Sequence, residues 1–214
     1  MLKKEIFNTE IQFFAERGIY LPKIATLLVT DTHFGKTNTF RNNGAIVPKG
    51  ITVSDLNRLT TLINKTNPKR IVFLGDLIHA RDSKSEYLSQ VLAEFRSNFN
   101  NMEFILVEGN HDLTAGVTFS ELGFNLITNR YEIEEFVFLH KPEKIKEKYV
   151  FAGHIHPGYS VKDVIKSKVT LPCFHITENY TILPAFSEFT GKYKVDKKKS
   201  DSVIIILEDD LLEV

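Results

Sequence analysis

Three short apolar runs, each ending in a polar turn and separated by stretches of helical periodicity, constrain this chain more than anything else in it. The runs occupy residues 25–29, 71–74 and 104–107, and they end at Asp31, at Gly75-Asp76 and at Glu108-Gly109-Asn110. Apolar runs this short and without alternation read as strands buried on both faces. Between the first two, Leu56, Leu59 and Ile63 share one face of a helix that Ser54 can cap and that ends before Pro68. Between the second and third, Ser85 can cap a helix with Leu88, Leu92, Phe95 and Phe99 on its inner stripe. Strand, helix, strand, helix, strand is the signature of sheet layers flanked by helices.

Residues 12–22 read as a hairpin around Arg17-Gly18, and the second half is richer in strands, at 136–139, 149–152, 169–174 and 203–207. The expected architecture is α/β, with two mixed sheets packed face to face and helices outside. No repeat, low-complexity tract or Gly/Ser linker marks a boundary, so residues 1–214 read as one domain.

Composition limits what this domain can do. Its 27 basic residues cancel 27 acidic ones, so any phosphate-binding surface must be local. The single cysteine, Cys173, cannot form an intrachain disulfide or a thiolate metal cluster, and its apolar neighbours mark it as core. The first residues lack the apolar centre of a secretion signal, and no apolar stretch approaches the ~20 residues needed to cross a bilayer. A cytoplasmic protein without a membrane partner is expected.

Of the seven histidines, five fall in Asp31-Thr32-His33, Gly109-Asn110-His111-Asp112, Leu139-His140 and Gly153-His154-Ile155-His156. Each group lies just past the end of an expected strand, where loops converge on a rigid backbone. In an extended segment residues i and i+2 point the same way. Asp31 with His33, and His154 with His156, would then each present two side chains to one point. Gly75, Gly109 and Gly153 would let the backbone turn sharply as it leaves each strand.

The ordered set DxH, GD, GNHD, H and GHxH, spanning Asp31 to His156, resembles the calcineurin-like metallophosphoesterase superfamily. The resemblance implies one metal held by Asp31, His33, Asp76 and His156, and a second held by Asp76, Asn110, His140 and His154, with Asp76 bridging. Such a mixture of imidazole, carboxylate and amide suits borderline divalent ions, Mn first, with Fe or Zn as alternatives. Two ions about 3.5–4 Å apart can share a hydroxide that attacks phosphorus in line. His111 would protonate the leaving oxygen or stabilise phosphoryl charge, with Asp112 orienting its ring. Lys36, Arg41 and His79 are candidate substrate contacts, whereas His175 and Lys197-Lys198-Lys199 read as structural and solvated.

Longer segments narrow the resemblance. Residues 31–36 with Arg41, Gly44 and Pro48, then Gly75 to His79, Gly153 to Pro157, Leu171-Pro172-Cys173-Phe174, Leu183-Pro184-Ala185-Phe186 and Phe189-Thr190-Gly191 resemble the bacterial ligase-associated phosphoesterases of DNA repair. Ser187 departs from the glycine expected there. The implied activity is a metal-dependent phosphodiesterase or nuclease acting on DNA beside a helicase and a ligase. Two alternatives stand next to it: a phosphoesterase of small nucleotides or phosphomonoesters, and a non-catalytic scaffold like the relative in the retromer coat.

Overall fold

The computed structural model of the protein describes residues 1–36, 50–79, 86–162 and 168–214. The first sheet contains β1 (Leu2–Ile6), β2 (Thr9–Phe14), β3 (Gly18–Leu21), β4 (Thr26–Val29), β5 (Arg70–Phe73), β6 (Glu103–Val107) and β7 (Asn125–Ile127), side by side in that order. Pairing is antiparallel up to β4 and parallel from β4 to β7. The expected hairpin is β2–β3, turning at Arg17 with φ 68°. Helices α1 (Ile51–Thr66) and α2 (Glu86–Ser97) lie between the parallel strands in sequence.

The second sheet contains β8 (Tyr131–Ile133), β9 (Phe136–Leu139), β10 (Tyr149–Ala152), β11 (Pro157–Lys162), β12 (Lys168–Ile176), β13 (Tyr180–Ile182), β14 (Tyr193–Lys194), β15 (Ser202–Leu207) and β16 (Asp210–Glu213). Its spatial order is β14-β11-β12-β13-β10-β9-β8, with β15 joining β12 to β16. This sheet is mixed like the first, because β9, β10 and β13 pair in parallel while β11, β12 and β15 pair antiparallel.

Two apolar layers explain why the strand runs carry no alternation. Leu27, Val29, Ile71, Phe73, Phe104 and Leu106 face the helices, meeting Leu59 and Leu62 of α1 and Leu88 and Leu92 of α2. The residues between them, Leu28, Val72, Leu74, Ile105 and Val107, face the second sheet and meet Phe136, Phe138, Phe151 and Phe174. Each such side chain contributes about 1.5–3 kcal/mol by leaving water, so both faces of these strands must be apolar. The two helices therefore flank the first sheet. Among the described residues no helix is long and apolar enough to cross a membrane.

The helix ends differ from expectation. Gly50, with φ 88°, is the N-cap of α1, so Ser54 lies inside the first turn with its N–H on the Gly50 carbonyl at 2.9 Å. A left-handed cap suits glycine, and it starts the helix one turn earlier than a Ser54 cap would. Helix α2 ends at Ser97; Phe99 packs beyond it, with Arg96 Nη1 donating to the Phe99 carbonyl at 2.7 Å. Ser85, Arg41, Gly44 and Pro48 lie outside the described residues.

Candidate metal centre

The carboxyl ends of β4, β5, β6, β9 and β10 deliver Asp31, Asp76, Asn110, His140 and His154 to one place. The backbone there is not extended. Asp31, His33, Asp76, His154 and His156 all have positive φ, between 43° and 68°. Such non-glycine conformations cost on the order of 1–3 kcal/mol each and persist only where the surroundings impose them. Here the imposition is a zipper of amides: Asp31 N–H donates to Gly75 O (3.1 Å), His33 to Asp76 O (3.0 Å) and Phe34 to Leu77 O (2.8 Å). The paired side chains converge because of left-handed turns, and the expectation of extended i, i+2 geometry is corrected.

Two glycines work differently from one another. Gly75 has φ 84°, and a Cβ there would lie 2.2 Å from His140 Nδ1. Gly153 is not left-handed; a Cβ there would lie 1.8 Å from Thr30 Oγ1 and 2.6 Å from Asp31 Oδ2. Its function is close approach rather than turning.

One cluster contains Asp31, His33 and His156, with donor atoms within 4.8 Å of one another. Asp31 Oδ2 accepts from the His154 N–H at 2.9 Å and lies 2.8 Å from the Thr30 hydroxyl. Its other oxygen, Oδ1, is buried without a hydrogen bond, as are His33 Nε2 and His156 Nε2. His156 Nε2 is 3.2 Å from Asp31 Oδ1, but off the line of a hydrogen bond. Three orphaned buried atoms pointing into one space fit a cation.

The second cluster contains Asp76, His140 and His154. The His140 Nδ1–H donates to the Leu74 carbonyl at 2.9 Å, which leaves Nε2 as a lone pair. That lone pair faces Asn110 Oδ1 (3.1 Å), His154 Nδ1 (3.0 Å) and Asp76 Oδ1 (3.6 Å). Such a concentration of electron-rich atoms also fits a cation. Asp76 faces both clusters, with Oδ1 toward His140 and Oδ2 3.9 Å from both His33 and His111.

The local electrostatics keep several of these donors unprotonated, whereas at His156 burial is outweighed by the Asp31 carboxylate, which raises the pKa. Burial, with help from Lys36, His156 and His111, outweighs Asp31 and pushes His33 down to about 2. Burial and the cations around them lower His79 to about 4 and lower His154 as well. Burial would raise Asp31, but the rings of His156, His140 and His33 hold its carboxyl below the usual range. Neutral imidazoles and an ionised carboxylate are the forms that bind metal.

His111 stands half-exposed at the mouth. Its ring stacks on His79 at 4.8 Å, and His79 Nδ1 is 3.4 Å from His33 Nδ1, so His79 belongs to the site. Asp112 does not touch the His111 ring. Its carboxylate accepts the N–H groups of Asp76 (2.8 Å), Leu77 (2.9 Å), Ile78 (3.3 Å) and Gly109 (2.9 Å). The expected role of orienting His111 is corrected: Asp112 is buried beneath the site and clamps the β5 and β6 loops together. Burial and the neighbouring Asp76 push it up to about 7 against the amides of Gly109, Ile78 and Asp76. Lys36 is described and half-buried; burial lowers its pKa while Asp31 and Asp76 oppose that. Cys173 is core, with burial pushing its thiol up to about 12, and His175 pairs with Asp201 at 2.9 Å.

Two supports were invisible in the motifs. Arg17 Nη1 donates to three successive carbonyls, of Ala185, Phe186 and Ser187, at 3.3, 3.3 and 2.9 Å. That segment in turn gives its Phe186 and Ser187 amides to the carbonyls of Thr30 and Asp31. Ser187 is buried, and its hydroxyl accepts the Phe189 N–H at 3.3 Å. Lys141 was also missed; it directly follows His140, and its charge helps lower the pKa of His154.

A sequence model of the family described as calcineurin-like phosphoesterase matches residues 24–201. Among solved structures the chain is similar to the Pseudomonas putida nuclease MPE. The two are 27% identical, with a TM-score of 0.87 over 100% of this chain and 99% of that one. A phosphoesterase from E. coli, Yfce, is 12% identical over 88% of this chain and 97% of that one, at a TM-score of 0.46. The Aquifex aeolicus protein AQ665, of unknown function, is 20% identical over 61% and 78%, at 0.42. No curated protein matches.

Proposed function

The chain belongs to the calcineurin-like phosphoesterase family and is a metal-dependent hydrolase of phosphoric esters, and from that premise we propose that it is a dinuclear phosphodiesterase that cuts DNA. The observation that carries the dinuclear reading is Asp76, whose two oxygens face two separate donor clusters. Asp31, His33 and His156 would hold one ion with Asp76, and Asn110, His140 and His154 the other. The ions, manganese in this reading, would supply Lewis acidity toward the phosphoryl oxygens and a nucleophile at neutral pH.

The chain's own residues do the rest. Left-handed turns and the Asp112 clamp hold the donors rigidly, so little reorganisation is needed as charge develops. His111 stands at the mouth with its Nε2 3.9 Å from Asp76, where it can give a proton to the departing oxygen. Lys36 adds a cation on the His33 side. A nucleic acid as substrate is supported by likeness to the P. putida nuclease over the whole chain, and DNA in particular by the sequence resemblance to ligase-associated phosphoesterases. A repair setting beside a helicase and a ligase rests on the sequence resemblance to ligase-associated phosphoesterases.

The test compares bis(p-nitrophenyl) phosphate, p-nitrophenyl phosphate and single-stranded DNA in manganese. Faster diester hydrolysis together with DNA cleavage is expected. A clear preference for the monoester, with DNA left intact, overturns the diesterase reading in favour of small phosphomonoesters.

A further inference from the structure

A cleft of about 390 Å³ opens beside the metal centre on the side of Asn110 and His140, which form part of its floor. One wall is residues 128–130, the connection by which the chain passes from β7 of the first sheet to β8 of the second. The other is the segment that leaves β9, including Lys141 and Glu143. The cleft therefore lies in the seam between the sheets, open to solvent and touching the reacting site. Its volume falls within the ~300–1,000 Å³ of small-ligand pockets.

The lining selects among occupants. Leu113, 69% exposed, offers an apolar surface, and Asn129 an amide with both donor and acceptor. Glu108 and Glu143 supply carboxylates, which repel a phosphate but accept from the exocyclic amino group of a nucleobase. Arg130 is held by Glu132 at 2.8 Å, so Lys141 is the better placed cation, being exposed and close enough to affect His154. Lys36 lies near the other donor cluster, where its charge acts on His33, His79 and His156. A cation thus accompanies each donor cluster. A lone phosphomonoester needs one of them; a polynucleotide has a phosphate for each.

We propose that this cleft is the subsite for the nucleoside on one side of the scissile phosphate, with its base against Leu113 and Asn129 and the next phosphate on Lys141. The proposal rests on the diesterase reading above. It predicts a contribution from residues that touch no metal-binding atom.

The test uses the manganese-loaded protein and its Asn129→Ala/Lys141→Ala variant, both substitutions being at exposed positions. The substrates are the p-nitrophenyl esters of deoxycytidine 3′,5′-bisphosphate at its 3′- and at its 5′-phosphate, each keeping a second phosphate for Lys141, with bis(p-nitrophenyl) phosphate as reference. For one of the two esters, the ratio of kcat/KM to that of the reference should fall about tenfold, mainly through KM, as expected for lost ground-state contacts. An unchanged ratio for both esters, or an equal fall for ester and reference, overturns the subsite. If the wild-type protein hydrolyses no diester at all, the diesterase reading fails first and the subsite with it, an outcome distinct from an unchanged ratio.

Discussion

Asp76 and Asp112 exchange hydrogen bonds through each other's loops. Asp112 Oδ2 accepts the Asp76 N–H at 2.8 Å, and Asp76 Oδ1 accepts the N–H of His111, the neighbour of Asp112, at 2.9 Å. One carboxylate faces the donor clusters and the other lies beneath, so the loop after β5 and the loop after β6 form one unit.

Asp112→Asn should therefore act on stability and metal binding together. An amide has one acceptor oxygen where the carboxylate has two, and its NH₂ would oppose a backbone donor. An unpaired buried group costs about 1–3 kcal/mol, which for a chain this size lowers Tm by about 2–12 °C. Thermal melts and metal analysis check this. Unchanged Tm and metal content with a reduced kcat would return Asp112 to the role of orienting His111.

His111→Ala should leave metal content near wild type while turnover falls about 10²–10⁴-fold, the range for losing a general acid. The loss should shrink as the leaving group becomes more acidic, because a good leaving group needs no proton. A variant that loses metal instead would make His111 a ligand.

Removing metal should cost stability. Asp31 Oδ1, His33 Nε2 and His156 Nε2 are buried without hydrogen bonds, so a cation that satisfies them binds the folded chain selectively. At manganese a hundredfold above Kd, each site should add about 2.7 kcal/mol. Chelation should lower Tm and abolish hydrolysis, and elemental analysis after reloading should find two ions per chain. A Tm indifferent to manganese would count against the dinuclear reading.

A pH test falls outside the metal centre, at Asp201. Burial would raise its pKa, but the His175 ring at 2.9 Å, the Lys198 N–H and the Ser200 hydroxyl hold it below the usual range. A depressed folded pKa means stability that is present above the unfolded value of about 3.9 and lost as pH falls through the folded one. Asp201→Asn should be less stable than wild type by about 1–2 kcal/mol at pH 7, with the gap narrowing below pH ~4. Urea denaturation at both pH values measures it; a constant gap would mean that the carboxylate's charge is not what matters.

The candidate metal donors were legible in the chain because their types are rare and their positions punctuate it. Asp31, His33, Asp76, Asn110, His140, His154 and His156 each follow an apolar run, and a strand that must bury both faces has to end where polar residues begin. The runs themselves revealed the two-layer core for the same reason. What local sequence could not express is how the backbone bends once several loops press together. Asp31 and His33 adopt left-handed turns because amides of one loop bond carbonyls of another more than 40 residues away. Asp112 adjoins His111 in the chain yet serves four amides beneath the site, and only the stacking of β5 beside β6 brings them there. Arg17 finds its carbonyl partners some 170 residues later, in a segment with no charge or spacing to announce them. The cleft at Lys141 likewise exists only because the chain crosses between sheets at residues 128–130. Which atoms can bind an ion is a property of side chains, and the sequence lists those. Which oxygens are already taken by hydrogen bonds, and which remain bare, depends on contacts across the whole fold, and only the packed sheets decide that.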